Sequence, residues 1–451
     1  MDWKALLSSG RLRVSNRSTD GDPRNDFESD LGRVIFSPAI RRMHDKTQVM
    51  PLSTDDNIHT RLTHSLEVSI IGESLALHLV TNQDFIDWTG LPAIDLHRTV
   101  LPIVRSACLV HDIGNPPFGH FGEESIGSYF QDFFKSDRGK ALGLSEIEKE
   151  DFIHFDGNAQ GFRILTKLQI LDDLYGLNLT HATLGAFLKY PNAGEVNKSA
   201  LRQKKRGVFQ SEKDYLNQVA HECGLRRGDT VIRHPLAYLV EAADSICYRV
   251  MDIEDGFNKG WYSFEDIRLF FSHSGSQLLA DLACEVDAPG KSKAGKIVAL
   301  RLRLINILVA IAVDNFIKNY DDICRGKYNK ELVQDDPGNV DEVLSQFCKK
   351  NVFPQREILS LELTGDTVIK GLLDRYIDYI LRGTGSYSRK AERMISKSIM
   401  KAAKLETGLA DGTIDDLPNY YKLRVIVDFV SGMTDQYALS HFQMLHGQRK
   451  I

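Results

Sequence analysis

Residues 99–123 read TVLPIVRSACLVHDIGNPPFGHFGE. Thr99 to Val110 is an apolar segment of helical length. It runs into His111-Asp112 and then meets Gly114-Asn115-Pro116-Pro117, a cluster of helix breakers. Adjacent side chains diverge along a regular helix, but a helix that ends at such a pair lets both turn toward one cation. A new helix starting near His120 puts His120 and Glu123, three residues apart, on one face. A histidine steadied by a carboxylate is a general acid/base pair. Taken alone, a His-Asp dipeptide is a common polar helix end and His-x-x-Glu a common helix start.

Two residues outside this stretch sharpen the case. His64 sits in Arg61-Leu62-Thr63-His64-Ser65, in a helix whose Leu62, Leu66, Ile70, Leu75 and Leu79 form one apolar stripe, with Ile71 on the same side. Asp244 sits in a helix that Pro235 opens and that runs from Leu236 to about Met251. Each polar group interrupts an apolar stretch, where it is costly unless paired or bound to a metal. The order His64, His111-Asp112, Asp244 on helices of one bundle gives two nitrogen and two oxygen ligands. Such a mixed set suits manganese, iron, zinc, cobalt and, less well, magnesium.

The rest of the chain reads as helix too. Segments 301–320, 367–382, 389–405 and 419–446 carry helical periodicity, and alternating strand patterns are scarce, so the expected fold class is mainly α. The stretch 188–232 is rich in Lys and Arg and poor in apolar runs. It reads as a solvated excursion, with a phosphate- or nucleic-acid-facing surface as the other option. The polar stretch 321–350 reads as a loop between a first helical core and a C-terminal helical part. At 451 residues, 42% hydrophobic and 26% charged, the chain is ordinary globular material. A net charge of −5 argues against nucleic-acid binding as the main role. Six cysteines without a CxxC pair read as buried reduced thiols. The apolar run Leu304 to Val313 is too short to span a membrane, and Met1-Asp2-Trp3-Lys4 lacks a signal-peptide plan. Both lead to an expectation of a cytoplasmic protein with no membrane partner.

The 111–123 stretch, with the ordered metal set, resembles the HD superfamily, and more narrowly the dGTPase-like deoxynucleoside triphosphate triphosphohydrolases. Arg42 with Lys46-Thr47-Gln48-Val49 is similar to that family's N-terminal block. Asp156-Gly157-Asn158-Ala159-Gln160, Lys189-Tyr190-Pro191 and Ser431-Gly432-Met433-Thr434-Asp435 are similar to three more. The similarity runs from about residue 27 to about 446. It implies an HD helical bundle with an extended helical C-terminal part: an N-terminal segment 1–54 contributing to the nucleotide pocket, a metal-dependent core at 55–260, and 261–451 completing the pocket and an oligomer interface.

The resemblance also implies an activity: hydrolysis of dGTP, with other dNTPs left open, to deoxynucleoside and inorganic triphosphate. His64, His111, Asp112 and Asp244 would hold a divalent metal, manganese or magnesium first, with iron, cobalt or zinc as other candidates. His120 and Glu123 would be catalytic. Lys189, Tyr190 and Asn158 would contact phosphate, Tyr248 would pack on the sugar, Gln48 and Val49 would lie at the 3′-hydroxyl, and Phe353 and Glu362 would contact the base. A homo-oligomer such as a hexamer, and single-stranded DNA as a regulator, belong to the same expectation. The SRKAERMISKS stretch after Tyr387 departs from the family pattern and leaves base specificity open. The main rival is another HD phosphodiesterase or nucleotidase. It shares the metal set but has no reason to carry His120, Lys189-Tyr190 and Tyr248 together.

Overall fold

The computed structural model describes residues 1–13, 21–48, 59–169, 173–288, 290–336, 338–382 and 385–448. The chain is mainly α-helical: among the described residues the only sheet is a hairpin pairing Arg226–Arg227 with Thr230–Val231. Three helices frame the site. Arg61–Val80 packs most extensively on Ala93–Val110, and both meet Pro235–Asn258, the third helix that Pro235 opens.

Two apolar clusters fill the molecule. One gathers the three framing helices with the first residues, the Lys293–Lys318 helix and the Val340–Asn351 helix. The other joins the Gly119–Phe133 helix to the Arg356–Leu381 and Asn419–Ser431 helices. The second cluster therefore ties the segment just after the His-Asp turn to the C-terminal third of the chain.

Several expectations from the sequence need correction. In the Arg61–Val80 helix, Leu75 and Leu79 are fully buried, but Leu66 and Ile70 are 51% and 60% exposed. The inward face carries Ile71, as expected, but with His64, Ser65, Val68, Ser69 and Gly72 in place of Leu66 and Ile70. Small residues win these positions because the neighbouring helix comes so close. A Cβ at Gly72 would stand 2.5 Å from Cys108 Sγ.

The stretch 321–350 is not one loop. Its last third is the Val340–Asn351 helix, buried through Val340, Val343, Leu344, Phe347 and Cys348. That is a clear three/four spacing which the polar composition hides. Nor is 188–232 a solvated excursion. Leu188, Tyr190, Ala193, Val208, Phe209, Leu216 and Val219 are buried, and only short pieces such as 197–199 are exposed. The 389–405 and 419–446 segments are each two helices, Ser386–Met394 with Lys397–Thr407 and Asn419–Ser431 with Asp435–Leu445. Five cysteines are buried and free as expected, but Cys284 is exposed. No helix among the described residues is long and apolar enough to cross a membrane.

Candidate metal centre and its surroundings

The local sequence explains how the four expected ligands are presented. Thr60 caps the Arg61–Val80 helix, its side chain accepting from the Thr63 backbone N–H, and this fixes His64 in the first turn. The Ala93–Val110 helix stops at His111. There the Gly157–Arg163 helix comes so close that a Cβ on Gly114 would stand 2.0 Å from the Gly161 nitrogen. Phe118 and Gly119 then both adopt left-handed backbone, φ 62° and 61°. That conformation is unfavourable for a phenylalanine, and the structure holds it by the Phe118 N–H donating to Asp435 Oδ1 at 2.9 Å.

His64, His111 and Asp244 converge, with one ligand atom from each lying within 4.8 Å of the others. His64 Nε2 is 3.2 Å and His111 Nε2 3.4 Å from Asp244 Oδ1. His111 Nδ1 donates to the Cys108 carbonyl at 2.7 Å. A carbonyl only accepts, so the proton on Nδ1 is fixed and Nε2 faces the centre. His111 Nε2 is buried with no hydrogen-bond partner. An orphaned ring nitrogen between carboxylates is what a metal ligand looks like before its cation is considered, and the donor set fits a divalent ion.

Asp112 stands beside this group rather than inside it. Its Oδ1 is 3.5 Å from His111 Nε2 and accepts from Asn115 Nδ2 at 2.7 Å, while Oδ2 pairs with Arg61. Burial opposes charge on all these groups, yet their mutual attraction outweighs it. Asp112 and Asp244 push His111 up to about 9, so their negative charge favours a cation at Nε2, and a bound metal would displace the proton there. Asp244 is held well below the usual carboxylate range by His111, His64 and Lys189.

His120 and Glu123 form the expected pair, Nδ1 to Oε2 at 3.0 Å. The imidazole is exposed and the carboxylate buried, with side chains 74% and 8% accessible. Glu123 is gripped from behind by the Gly157 N–H at 2.7 Å. The Glu123 charge raises the His120 pKa, its hydrogen bond adding to the effect. Asn158 turns its amide to Asp156, which also caps its helix. Lys189 lies 3.6 Å from Glu241 and beside the Tyr190 ring, and Glu241 and Asp244 help push its pKa up against the effect of burial.

Further out, Tyr248 and Phe353 stack in parallel, centroids 6.3 Å apart at 11°. Gln48 is half-buried with Oε1 unpartnered. Glu362 lies near Glu124, and among the described residues no hydrogen bond or ion pair joins it to the Tyr248–Phe353 pair. Val49 falls outside the described residues.

Four residues at the site went unassigned in the sequence. Arg61, in the same turn as His64, neutralises Asp112. Lys205 reaches Glu123 at 3.4 Å and Asp156 at 2.6 Å, so the basic 188–232 stretch does place one charge beside the His120–Glu123 pair. Asp252, one turn beyond Tyr248, is 3% exposed with Oδ2 unpartnered. Lys46 is fully enclosed and donates to the Asn115 and Ser431 carbonyls at 2.6 and 3.0 Å. Lys46 had a signal in its motif block and Lys205 in the basic stretch; Arg61 and Asp252 are made significant by the fold.

Comparison with known proteins agrees with this geometry. The HD domain model matches residues 61–156, and the phosphohydrolase-associated domain model matches 333–444. A deoxyguanosinetriphosphate triphosphohydrolase-like protein of Pseudomonas aeruginosa is 34% identical over 456 residues, covering 99% of both chains. One of Synechocystis is 36% identical over 468 residues, again with 99% of both covered. A deoxyguanosinetriphosphate triphosphohydrolase of Cronobacter sakazakii is 33% identical over 480 residues, covering 93% of each.

Proposed function

Because this chain belongs to the dGTPase-like branch of the HD superfamily, we propose that it is a metal-dependent deoxynucleoside triphosphate triphosphohydrolase that prefers dGTP. It would release deoxynucleoside and inorganic triphosphate. The observation that carries this reading is the orphaned His111 Nε2 facing His64 and Asp244, with the His120–Glu123 pair and two lysines in the same neighbourhood.

His64, His111 and Asp244 would hold the divalent cation, and Asp112 would complete the set. A bound cation of this kind supplies a water of lowered pKa and charge neutralisation at the α-phosphate. The chain's own groups do the rest. Lys189 and Lys205 place two positive charges for the phosphate chain, with Tyr190 and Asn158 as neighbouring donors. His120, whose pKa the Glu123 charge raises, is placed to give a proton to the leaving 5′-oxygen. Tyr248 and Phe353 offer flat faces for the sugar and base, and Gln48 Oε1 and Asp252 Oδ2 are the unpartnered oxygens offered to the 3′-hydroxyl. Exposure of His120 leaves the site open to solvent on that side.

The test is a product assay with each dNTP and rNTP in the presence of magnesium or manganese. Triphosphate plus deoxynucleoside, fastest with dGTP, is the expected outcome. Monophosphate plus pyrophosphate, or diphosphate plus phosphate, would sink the reading at the level of which bond is cut and would favour the nucleotidase or phosphodiesterase alternative.

A further inference from the structure

A small cavity of about 190 Å³ opens where residues 199–202 meet residues 326–329 and the start of the Pro235–Asn258 helix. Arg202, Arg233, Lys327, Tyr238 and Asn329 are among its lining residues, and no carboxylate lines it. None of the metal centre's residues lines it either.

Arg233 is the centre of the cavity's chemistry. It is 2% exposed and its guanidinium lies over the Tyr238 ring at 4.1 Å. One nitrogen, Nη2, stands 2.8 Å from Glu241 Oε2. The two remaining nitrogens, Nε and Nη1, are buried with no hydrogen-bond partner. Arg202 shows the same pattern, with Nη1 near the Gly326 carbonyl at 3.4 Å and a buried Nε without a partner. Lys327 is exposed at the rim and makes no ion pair among the described residues. Glu241 offsets one of the three charges, and it is also shared with Lys189.

A buried donor left unmade costs roughly 1–3 kcal/mol, and charged guanidinium N–H groups without partners are strong donors to phosphate oxygens. Size narrows the ligand. The cavity exceeds the ~30 Å³ share of one water several-fold, yet it is below the roughly 300–1,000 Å³ of clefts that enclose drug-sized molecules. It suits a tetrahedral oxyanion and is too small for a nucleoside.

We propose that this cavity is a second anion site, separate from the metal centre, that takes a free phosphate or the end of a polyphosphate chain. The unpartnered N–H groups of Arg233 hold the anion from within, and Arg202 and Lys327 close on it from the rim. The proposal stands whichever nucleotide the metal centre uses.

Because the lysines at the metal centre also attract phosphate, the test must locate the anion as well as count it. Crystals of the full chain soaked in tungstate, an anomalously scattering oxyanion, give the position. Calorimetric titration with inorganic phosphate and with tripolyphosphate gives the affinity. The expected result is a tungstate peak within the cavity that disappears in the Arg202→Gln/Lys327→Gln double variant. At least a tenfold loss of phosphate affinity at one class of site should accompany it, with melting temperature and metal content unchanged. Should the double variant fail to fold, Lys327→Gln at the exposed rim should still weaken that site about threefold. A wild-type cavity without tungstate, or variants that bind phosphate as tightly as wild type, would overturn the proposal. It fails equally if the variants lose affinity only for a single-stranded oligonucleotide, since the cavity would then be a nucleic-acid contact.

Discussion

Asp252→Asn tests whether the pocket beyond the metal centre is built for a ligand at the expense of stability. Asp252 lies eight residues after Asp244 on one helix, so Asp244, Tyr248 and Asp252 fall along one side of it. Burial, with Asp255 adding to it, pushes the Asp252 carboxyl up to about 8. Arg249, whose charge pulls the other way, does not rescue it because its Nε is committed to Asp341 at 2.8 Å. The sign of the linkage follows. In the unfolded chain this carboxyl ionises near 4, while the folded chain keeps its proton to about 8. Between these values the folded state binds more protons, so the wild type loses stability as pH rises. At 1.36 kcal/mol per tenfold change in proton affinity, this amounts to ~4 kcal/mol between pH 5 and pH 8, or ~2 kcal/mol if water reaches the carboxyl. Asparagine does not titrate. Denaturant unfolding of both proteins from pH 5 to pH 8 should therefore show the variant gaining on wild type by ~2–4 kcal/mol across that range. The slope is the readout, because a constant offset from the new amide N–H cancels. Turnover of dGTP should fall in the same variant. A stability difference that is flat with pH, or one that favours wild type as pH rises, would refute this account of Asp252.

Asp112→Ala should abolish bound metal and turnover together, measured by metal analysis and the product assay; full occupancy with lost activity would leave Asp112 as a partner of Arg61 alone. Glu123→Gln should move the alkaline limb of the kcat–pH profile to lower pH, because the Glu123 charge is the largest influence raising the His120 pKa; an unmoved limb would take His120 out of the proton-donor role. Lys205→Ala should raise KM for dGTP about tenfold or more while Glu123 remains buried, and an unchanged KM would make Lys205 a structural partner of Asp156. Tyr248→Ala should raise GTP turnover relative to dGTP by about one to two decades, since an unpaired buried hydroxyl costs roughly 1–3 kcal/mol; an unchanged ratio would show that Tyr248 does not read the sugar.

What the sequence reveals depends on how local each feature is. The helix ending at His111 and the one opened by Pro235 are legible because breakers and periodicity act within a few residues. So are His120 and Glu123, whose three-residue spacing is itself the geometry. The inward face of the Arg61–Val80 helix is not legible that way. Hydrophobicity points to Leu66 and Ile70, but the tight approach of the neighbouring helix selects Ser65, Ser69 and Gly72. Lys205, Arg61 and Asp252 were hidden for a related reason. A lysine in a basic run, an arginine beside a histidine and an aspartate near a helix end become significant only when the fold removes their solvent and aims them. The Val340–Asn351 helix was missed because charged residues on its outer face outweighed a regular inner one.

The motif blocks are distant in sequence but act as one object, and this explains why the site cannot reside in the HD-matched segment alone. Lys46, from the N-terminal block, donates to the Asn115 carbonyl in the Pro-Pro turn and to the Ser431 carbonyl in the C-terminal block. Asp435 closes the circuit, taking the Thr47 N–H and hydroxyl on one oxygen and the Phe118 N–H on the other. Burial brings Lys46 down to about 7, a cost retained because the lysine joins three chain segments at one point. The strained Phe118–Gly119 turn that delivers His120 is thus held by residue 435, more than three hundred positions away. A Cβ on Gly119 would stand 2.4 Å from Arg61 Nη2, the same guanidinium that neutralises Asp112. The candidate metal ligands, the His120–Glu123 pair and the C-terminal helices are therefore positioned by common contacts. Nothing in the 61–156 segment alone supplies the Asp435 and Lys46 contacts that hold its turn in shape.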